Sequence, residues 1–244
     1  MQSVIHLVQQ PDRCSDCAIR QSAFCAAVGP EDLARLNAMA QRRRFGAGDT
    51  IFHEEESLSF VGNIITGVVK LSKTLADGRQ QLVGVQFPGD VLGRVFRPRA
   101  GFRAEAATAV ELCTFPRGSF ERMVASSHEL ETRLFRDTLD ELDAAREWMV
   151  LLGRQSAREK VARFLVMVAR RTSREGFAPV AKRPPAVRFD LPLSRADIAD
   201  FLGLTVETVS RQMTRLKTEG LIRFETSRRI EIPEMDDLEL AAGE

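Results

Sequence analysis

The hydrophobic period of the chain changes twice along its length. After a break at Gly29-Pro30, Leu33, Leu36 and Ala40 share one face of a predicted helix running from Glu31 to Gln41. From Phe45 to about Phe115 the apolar residues come in short runs: Thr50-Ile51-Phe52, Val61 to Ile65, Val68 to Leu71, Gln81 to Phe87 and Val110 to Phe115. Glycines separate these runs, and Asp77-Gly78 lies between two of them as a hairpin turn. Short strands with a turn signal every ten or so residues predict an antiparallel sandwich or barrel of sensor size.

After Pro116 the period turns helical. No proline interrupts the stretch from about Ser119 to Gly153. Phe135, Thr138, Leu142, Ala145, Met149 and Leu152 recur at alternating steps of three and four, the spacing of a coiled-coil seam. On that register Glu141 at g and Arg146 at the following e can pair between the chains of a parallel dimer. A helix packed only on its own sheet would need a shorter stripe. A second helix, Ala157 to Arg171, leads into a polar stretch, Thr172 to Ala186, expected as a surface loop.

The segment Leu193 to Gly220 reads LSRADIADFLGLTVETVSRQMTRLKTEG. Ser194 is placed to cap a helix through Ile198 and Leu202, Gly203 to break it, and Thr205 to cap a second helix through Lys217. Ala199, Gly203 and Val209 have helix-turn-helix spacing: a small residue where the helices touch, glycine in the turn, and an apolar residue packing the second helix back. Leu221-Ile222 and Ile230-Glu231-Ile232 flank a polar turn, as a β-hairpin wing would. Glu207, Ser210 and Arg211 share the face that such a helix inserts into a major groove, where Arg pairs with guanine and Glu accepts from cytosine. Thr205, Thr208, Arg215 and Lys217 are better placed for phosphates, which position rather than specify.

Charge sharpens this picture. The net charge of +1 conceals an asymmetry: residues 1–150 carry 18 Lys/Arg against 20 Asp/Glu, and residues 151–233 carry 17 against 9. The last eleven residues, 234–244, hold five acids and no base. A basic segment that coincides with a helix-turn-helix pattern predicts contact with double-stranded DNA. Hydrophobic residues make up 44% and charged residues 28%, as in ordinary globular proteins, which excludes global disorder. No apolar run approaches the roughly 18–20 residues that span a bilayer, and Met1 to Arg13 carry no export pattern. The expectation is a cytoplasmic protein with no membrane partner.

Three of the four cysteines, Cys14, Cys17 and Cys25, lie in CSDCAIRQSAFC, and Cys113 stands at the end of the β-rich region. In a cytoplasmic chain a C-x2-C pair points to metal or redox chemistry rather than disulfides. Four thiolates suit either tetrahedral zinc or an iron–sulfur cluster, and spacing does not choose between them. His6, His53 and His128 form no spaced cluster. No nucleophile–base arrangement, phosphate-cradling loop or catalytic carboxylate pair is present, so no catalysis is expected. An electron carrier or iron–sulfur enzyme would leave the helix-turn-helix without a use.

Three features together resemble the FNR type of the CRP/FNR superfamily of transcription regulators, over nearly the whole chain. They are the cysteine arm with a lone later Cys, the turn Pro88-Gly89-Asp90, and LGLTVETVSR at 202–211. The resemblance implies an α+β fold: an N-terminal antiparallel β-roll of cyclic-nucleotide-binding type, a long dimerisation helix and a C-terminal winged helix-turn-helix. The corresponding segments are a cysteine arm (1–30), a β-roll sensor (31–118), a dimerisation helix (119–153), the winged domain (154–233) and an acidic tail (234–244). It further implies a homodimer that reads TTGAT…ATCAA-like palindromes through Glu207, Ser210 and Arg211. Cys14, Cys17, Cys25 and Cys113 would hold an oxygen-labile [4Fe–4S] cluster controlling anaerobic or microaerobic genes. An activator of this type contacts RNA polymerase, here through the loop Thr74–Arg79.

The departures are informative. Seven residues separate the second and third cysteines where the enteric type has five, and Phe24 is expected to shield one edge of the cluster. Ala145 stands where the enteric protein has an acidic residue that opposes dimerisation. The stretch Gly89-Asp90-Val91-Leu92-Gly93-Arg94 lacks the cyclic-nucleotide phosphate cassette, although Arg97, Arg99 and Arg103 leave positive charge for another anion. Nitric oxide or a small anion as the signal, and a zinc-stapled DNA-binding protein with no switch, are the alternatives to oxygen sensing.

Overall fold

A computed structural model of the protein describes Cys14, residues 16–172 and residues 186–243. The expected loop from Thr172 to Ala186 thus lies almost wholly outside the described residues, as do the first thirteen residues of the cysteine arm. The chain forms two compact units, 1–143 and 144–244.

In the first unit a 3-10 turn, Phe24–Ala27, precedes α1 (Pro30–Met39), whose proline occupies the first helical turn where its missing N–H costs nothing. Eight strands follow: β1 (Gln41–Phe45), β2 (Thr50–Phe52), β3 (Phe60–Thr66), β4 (Val69–Thr74), β5 (Gln80–Gln86), β6 (Val91–Leu92), β7 (Arg103–Ala106) and β8 (Val110–Pro116). They pair antiparallel in two sheets, ordered β1-β8-β3-β6 and β2-β7-β4-β5. The Asp77-Gly78 turn closes the β4–β5 hairpin, with Thr74 opposite Gln80.

One core, including Phe52, Phe60, Ile64, Val69, Leu71, Leu92 and Leu112, draws on strands of both sheets. A second packs Phe24, Leu36, Val61, Phe115, Phe120 and Leu130 together. β3 feeds both: its first six residues are all buried, with Phe60 and Ile64 in one core and Val61 in the other. This explains why the strand is apolar on both faces apart from Asn63, where a half-exposed strand would have alternated with polar residues.

The helical stretch expected from Ser119 to Gly153 is two helices, α2 (Arg117–Ser126) and α3 (His128–Arg154). Ser127 breaks it in an extended conformation; its amide donates to the Val124 carbonyl and its own carbonyl accepts from the Glu131 amide. The break lets Phe120, Met123 and Val124 on one helix and Leu130 on the next reach the same core. Along α3, Phe135, Leu142 and Met149 of the expected seam are exposed, at 64%, 44% and 66%. Leu139 and Val150 are exposed beside them. The Thr138 hydroxyl bonds back to the Leu134 carbonyl at 2.8 Å, and Ala145 is exposed. Leu152, the last residue of the expected seam, is half-buried near the turn at Gly203.

The second unit contains the rest of α3, then α4 (Ala157–Thr172), β9 (Val187–Asp190), α5 (Arg195–Leu202), α6 (Val206–Thr218), β10 (Arg223–Phe224), β11 (Arg229–Ile232) and α7 (Met235–Ala241). The wing is a three-stranded sheet, β10-β11-β9, where the sequence pattern showed a hairpin. The acidic segment from 234 packs on α4. It folds as α7 and buries Leu238, Ala241 and Ala242, while Arg158 and Gln155 donate to the carbonyls of Ala241 and Ala242, each at 3.2 Å.

Candidate nucleic-acid interface and cysteine centre

The helix-turn-helix is built from local signals. The Ser194 hydroxyl accepts from the Asp197 amide and the Asp197 carboxylate accepts from the Ser194 amide, a complete capping box at the start of α5. Gly203 ends α5 at φ 62°, a left-handed conformation that a Cβ would strain. Thr205 then caps α6 by accepting from the Thr208 amide at 3.2 Å. Ile198, Ala199 and Leu202 of α5 and Val209, Met213 and Leu216 of α6 are buried. The opposite face of α6 presents Glu207, Ser210 and Arg211 to solvent.

Glu207 sits in the first turn of α6, where its own backbone amide and the Thr205 hydroxyl hold its carboxyl below the usual range. It therefore stands ready as an acceptor. Arg211 leans toward Thr208, Nη2 to Oγ1 at 3.5 Å, rather than closing an i,i+4 pair on Glu207.

The four residues expected at phosphates differ in their surroundings. Thr205 and Thr208 hydroxyls lie 3.1 Å apart at the N-terminus of α6. Arg215 turns onto Glu219 at 2.9 Å, and Glu219 also takes Arg158 at 2.6 Å, so this guanidinium is engaged within the fold. Lys217 lines a groove between α6 and the wing with Arg195, Ser210, Met213, Phe224 and Ser227.

Arg195 escaped the sequence reading. Its guanidinium lies over the Phe224 ring at 5.4 Å, and burial lowers its pKa. Its buried Nη1 has no hydrogen-bond partner among the described residues. A basic residue directly after an N-cap was the available signal; its neighbour Phe224 is twenty-nine positions away, beyond any local pattern.

The cysteines converge through the β-roll. Cys113 on β8 is opposite Asn63 on β3. Cys113 packs against the Phe24 core and also against a small cluster of Ile19, Ala23 and Ile65, which Cys17 joins; Cys25 packs on the former. The Cys25 thiol is pushed up to about 12, first by burial and then by the charges of Cys113, Cys14 and Cys17. All three other sulfurs are therefore within electrostatic reach of Cys25. Among the described residues, no three His, Cys, Asp or Glu stand as the ligand shell of a metal ion. Cys25 and Cys113 border one packing cluster, Cys17 and Cys113 border the next, and the Asn63 amide is aimed at one of these sulfurs, Nδ2 to Cys25 Sγ at 3.8 Å.

Phe24 lies in the core on which Cys25 and Cys113 pack. Its ring is fully buried, 4.9 Å from Phe120 and 5.6 Å from Phe115 between centroids, and anchors the arm to the second core. The anchor extends to the turn at Pro88-Gly89-Asp90: Gly89, at φ 93°, lies so close to Ser22 that a Cβ there would meet the Ser22 hydroxyl at 2.7 Å. Of the arginines near the missing cassette, Arg103 pairs with Glu105 at 2.8 Å and Arg99 faces Glu55 at 3.8 Å. The loop Thr74–Arg79 is closed by the Leu75 amide on the Arg79 carbonyl and leaves the Leu75 side chain half exposed.

Residues 159–241 match the Crp-like helix-turn-helix domain family, and residues 42–127 match the cyclic nucleotide-binding domain family. The chain is 48% identical to a probable transcriptional activator of Rhizobium leguminosarum bv. viciae, over 94% of this chain and 92% of that one. It is 42% identical to the transcriptional activator protein FnrL of Cereibacter sphaeroides, over 95% of this chain and 92% of that one. Among solved structures it resembles FixK2 from Bradyrhizobium japonicum, at a TM-score of 0.73 and 34% identity, covering 83% of this chain and 96% of that one.

Proposed function

The chain belongs to the CRP/FNR superfamily of transcription regulators, a family of DNA-binding proteins and not of enzymes, and we propose that this member is an oxygen-responsive activator. In this reading the regulator is a homodimer paired along the exposed stripe of α3. It binds a TTGAT…ATCAA-like palindrome, with Glu207, Ser210 and Arg211 reading base edges. Thr205, Thr208, Lys217 and Arg195 meet phosphates, while Arg215 acts mainly through Glu219. RNA polymerase is met through the Thr74–Arg79 loop.

The observation that supports the oxygen reading is the packing of three cysteines around one part of the β-roll, Cys25 and Cys113 on the Phe24 core and Cys17 with Cys113 on the adjoining Ile19 cluster. Cys14, Cys17, Cys25 and Cys113 would hold a [4Fe–4S] cluster, whose reaction with oxygen would supply the signal. With all four thiolates engaged, the arm is fixed to β8, and Ile19, Ala23 and Phe24 stay seated on the β-roll. The arm in turn meets α3, because Arg133 donates to the Ser22 carbonyl at 3.0 Å while its Nε holds Asp137 at 2.8 Å. Fixing the arm thus fixes the start of the helix that carries the seam. A dimer presents two recognition helices one DNA turn apart, and a monomer presents one. A switch from about 1:99 to 99:1 needs roughly 5.5 kcal/mol of preference for the paired state.

The test is a visible spectrum with iron and sulfide analysis on protein purified without air, repeated after air exposure beside a sizing run. About four irons per chain, bleaching in air and loss of the dimer support the proposal. A protein that stays colourless after cluster loading overturns the oxygen reading and leaves the DNA-binding regulator with another signal.

A further inference from the structure

β3 carries one residue that its surroundings do not explain. The strand runs FVGNIIT, and six of its seven residues are buried; the fourth is an asparagine, 1% exposed, between a glycine and isoleucines. A primary amide in such a place loses water and must find partners inside the protein. Asn63 finds one: Nδ2 donates to Cys25 Sγ at 3.8 Å. Its Oδ1 is buried with no hydrogen-bond partner among the described residues. Across the sheet its Cα partner is Cys113. Asn63 therefore stands beside two of the four cysteines, one on the arm and one on β8, and among the described residues its side chain's one hydrogen bond is to sulfur.

A valine or leucine there would fill the space without an orphaned oxygen. The amide is placed as a device for sulfur, not for packing.

We infer that Asn63 is a positioning residue for the cysteine centre: its amide N–H, held by the buried strand, orients the Cys25 sulfur as a ligand and withdraws electron density from it. This rests on the proposed [4Fe–4S] occupancy. A hydrogen bond to a thiolate ligand favours the electron-rich form of the group it holds, so it raises the reduction potential and slows oxidative loss.

The experiment uses the full chain, loaded without air, as wild type, Asn63→Leu and Asn63→Asp. Leucine has nearly the same volume and no donor; aspartate is isosteric and sets a carboxylate against the sulfur. The readouts are the reduction potential, the iron–thiolate stretching bands in the resonance Raman spectrum, and the rate of bleaching in air. Circular dichroism confirms folding. The expected order of potential is wild type, then Leu, then Asp, with bleaching accelerated roughly tenfold in Asn63→Leu and an upward shift of the iron–thiolate bands. If Asn63→Leu does not fold, the isosteric Asn63→Asp decides the matter alone. Variants that fold and load but match wild type in potential, bands and bleaching overturn the role of Asn63 while leaving the cluster reading intact. A wild type that takes up no cluster overturns both.

Discussion

Arg133 and Ser22 are joined across 111 positions of sequence: the guanidinium on α3 donates to the backbone carbonyl in the middle of the cysteine arm at 3.0 Å. Because the acceptor is a carbonyl, the contact reads the position of the arm and not the identity of the side chain at 22. The same guanidinium is steadied by Asp137 one turn along α3. Arg133→Met is expected to load a cluster normally, with an unchanged spectrum, but to dimerise about fivefold more weakly, the effect of one partly exposed charged hydrogen bond. Sedimentation velocity on the loaded protein measures this. An unchanged dimer constant would remove Arg133 from the coupling.

The exposed stripe on α3 predicts its own sensitivity. Leu142→Glu buries nothing and breaks nothing within the chain, since Leu142 is exposed. The variant should fold and load as wild type and run as a monomer at concentrations where wild type pairs. A variant that still dimerises would move the interface elsewhere.

Two substitutions on α6 separate base reading from phosphate contact. Arg211→Ala should cost about 1–3 kcal/mol on the palindrome and relax preference at one base pair in each half-site. Lys217→Ala should weaken all sequences alike and reduce the slope of log affinity against log salt by about one per chain. Fluorescence anisotropy titrations over a salt series distinguish them. An Arg211→Ala protein with unchanged sequence preference would refute the assigned face.

Loss of the cap at Ser194 should be felt in the second unit. Ser194→Ala removes the acceptor for the Asp197 amide and is expected to destabilise by about 1 kcal/mol. Urea unfolding followed by the fluorescence of Trp148 reports this, because the indole stacks on Phe201 of the capped helix at 4.2 Å.

The wing carries a pH dependence. Glu231, buried on β11, accepts from Arg188 at 2.7 Å and from Arg223 at 2.9 Å, and these guanidiniums hold its carboxyl below the usual range. Its contribution is therefore complete above the ordinary glutamate pKa and is lost as the pH falls through the lowered folded value. In urea melts from pH 7 to pH 3, wild type should lose an increment of stability that Glu231→Gln does not show.

The segment from Ser194 to Lys217 was legible because its signals are local: each cap and its partner lie three residues apart, and the turn glycine lies directly between the helices. The Asp77-Gly78 hairpin was legible for the same reason. The break at Ser127 was not, because the residues on both sides of it are adequate helix formers and only the shared core of Phe120 and Leu130 requires the chain to turn. The acids of α7 marked the segment as acidic and no more, since the packing that buries Leu238 needs α4 beneath it. Arg195 and Phe224, and Leu152 with Gly203, are pairs that no window of sequence contains.

The amino-acid sequence by itself determined the helix-turn-helix, the face of α6 that meets solvent and the β-rich character of the first unit, because each follows from residue type and spacing within a few turns of chain. Only the tertiary structure decided what surrounds the cysteines. The pairing of β3 with β8 sets Asn63 opposite Cys113, and the packing of Phe24 on Phe115 and Phe120 brings Cys25 to that amide. Strand register and core packing join residues dozens of positions apart, and the information that fixes them is spread over the whole apolar interior rather than held in any motif.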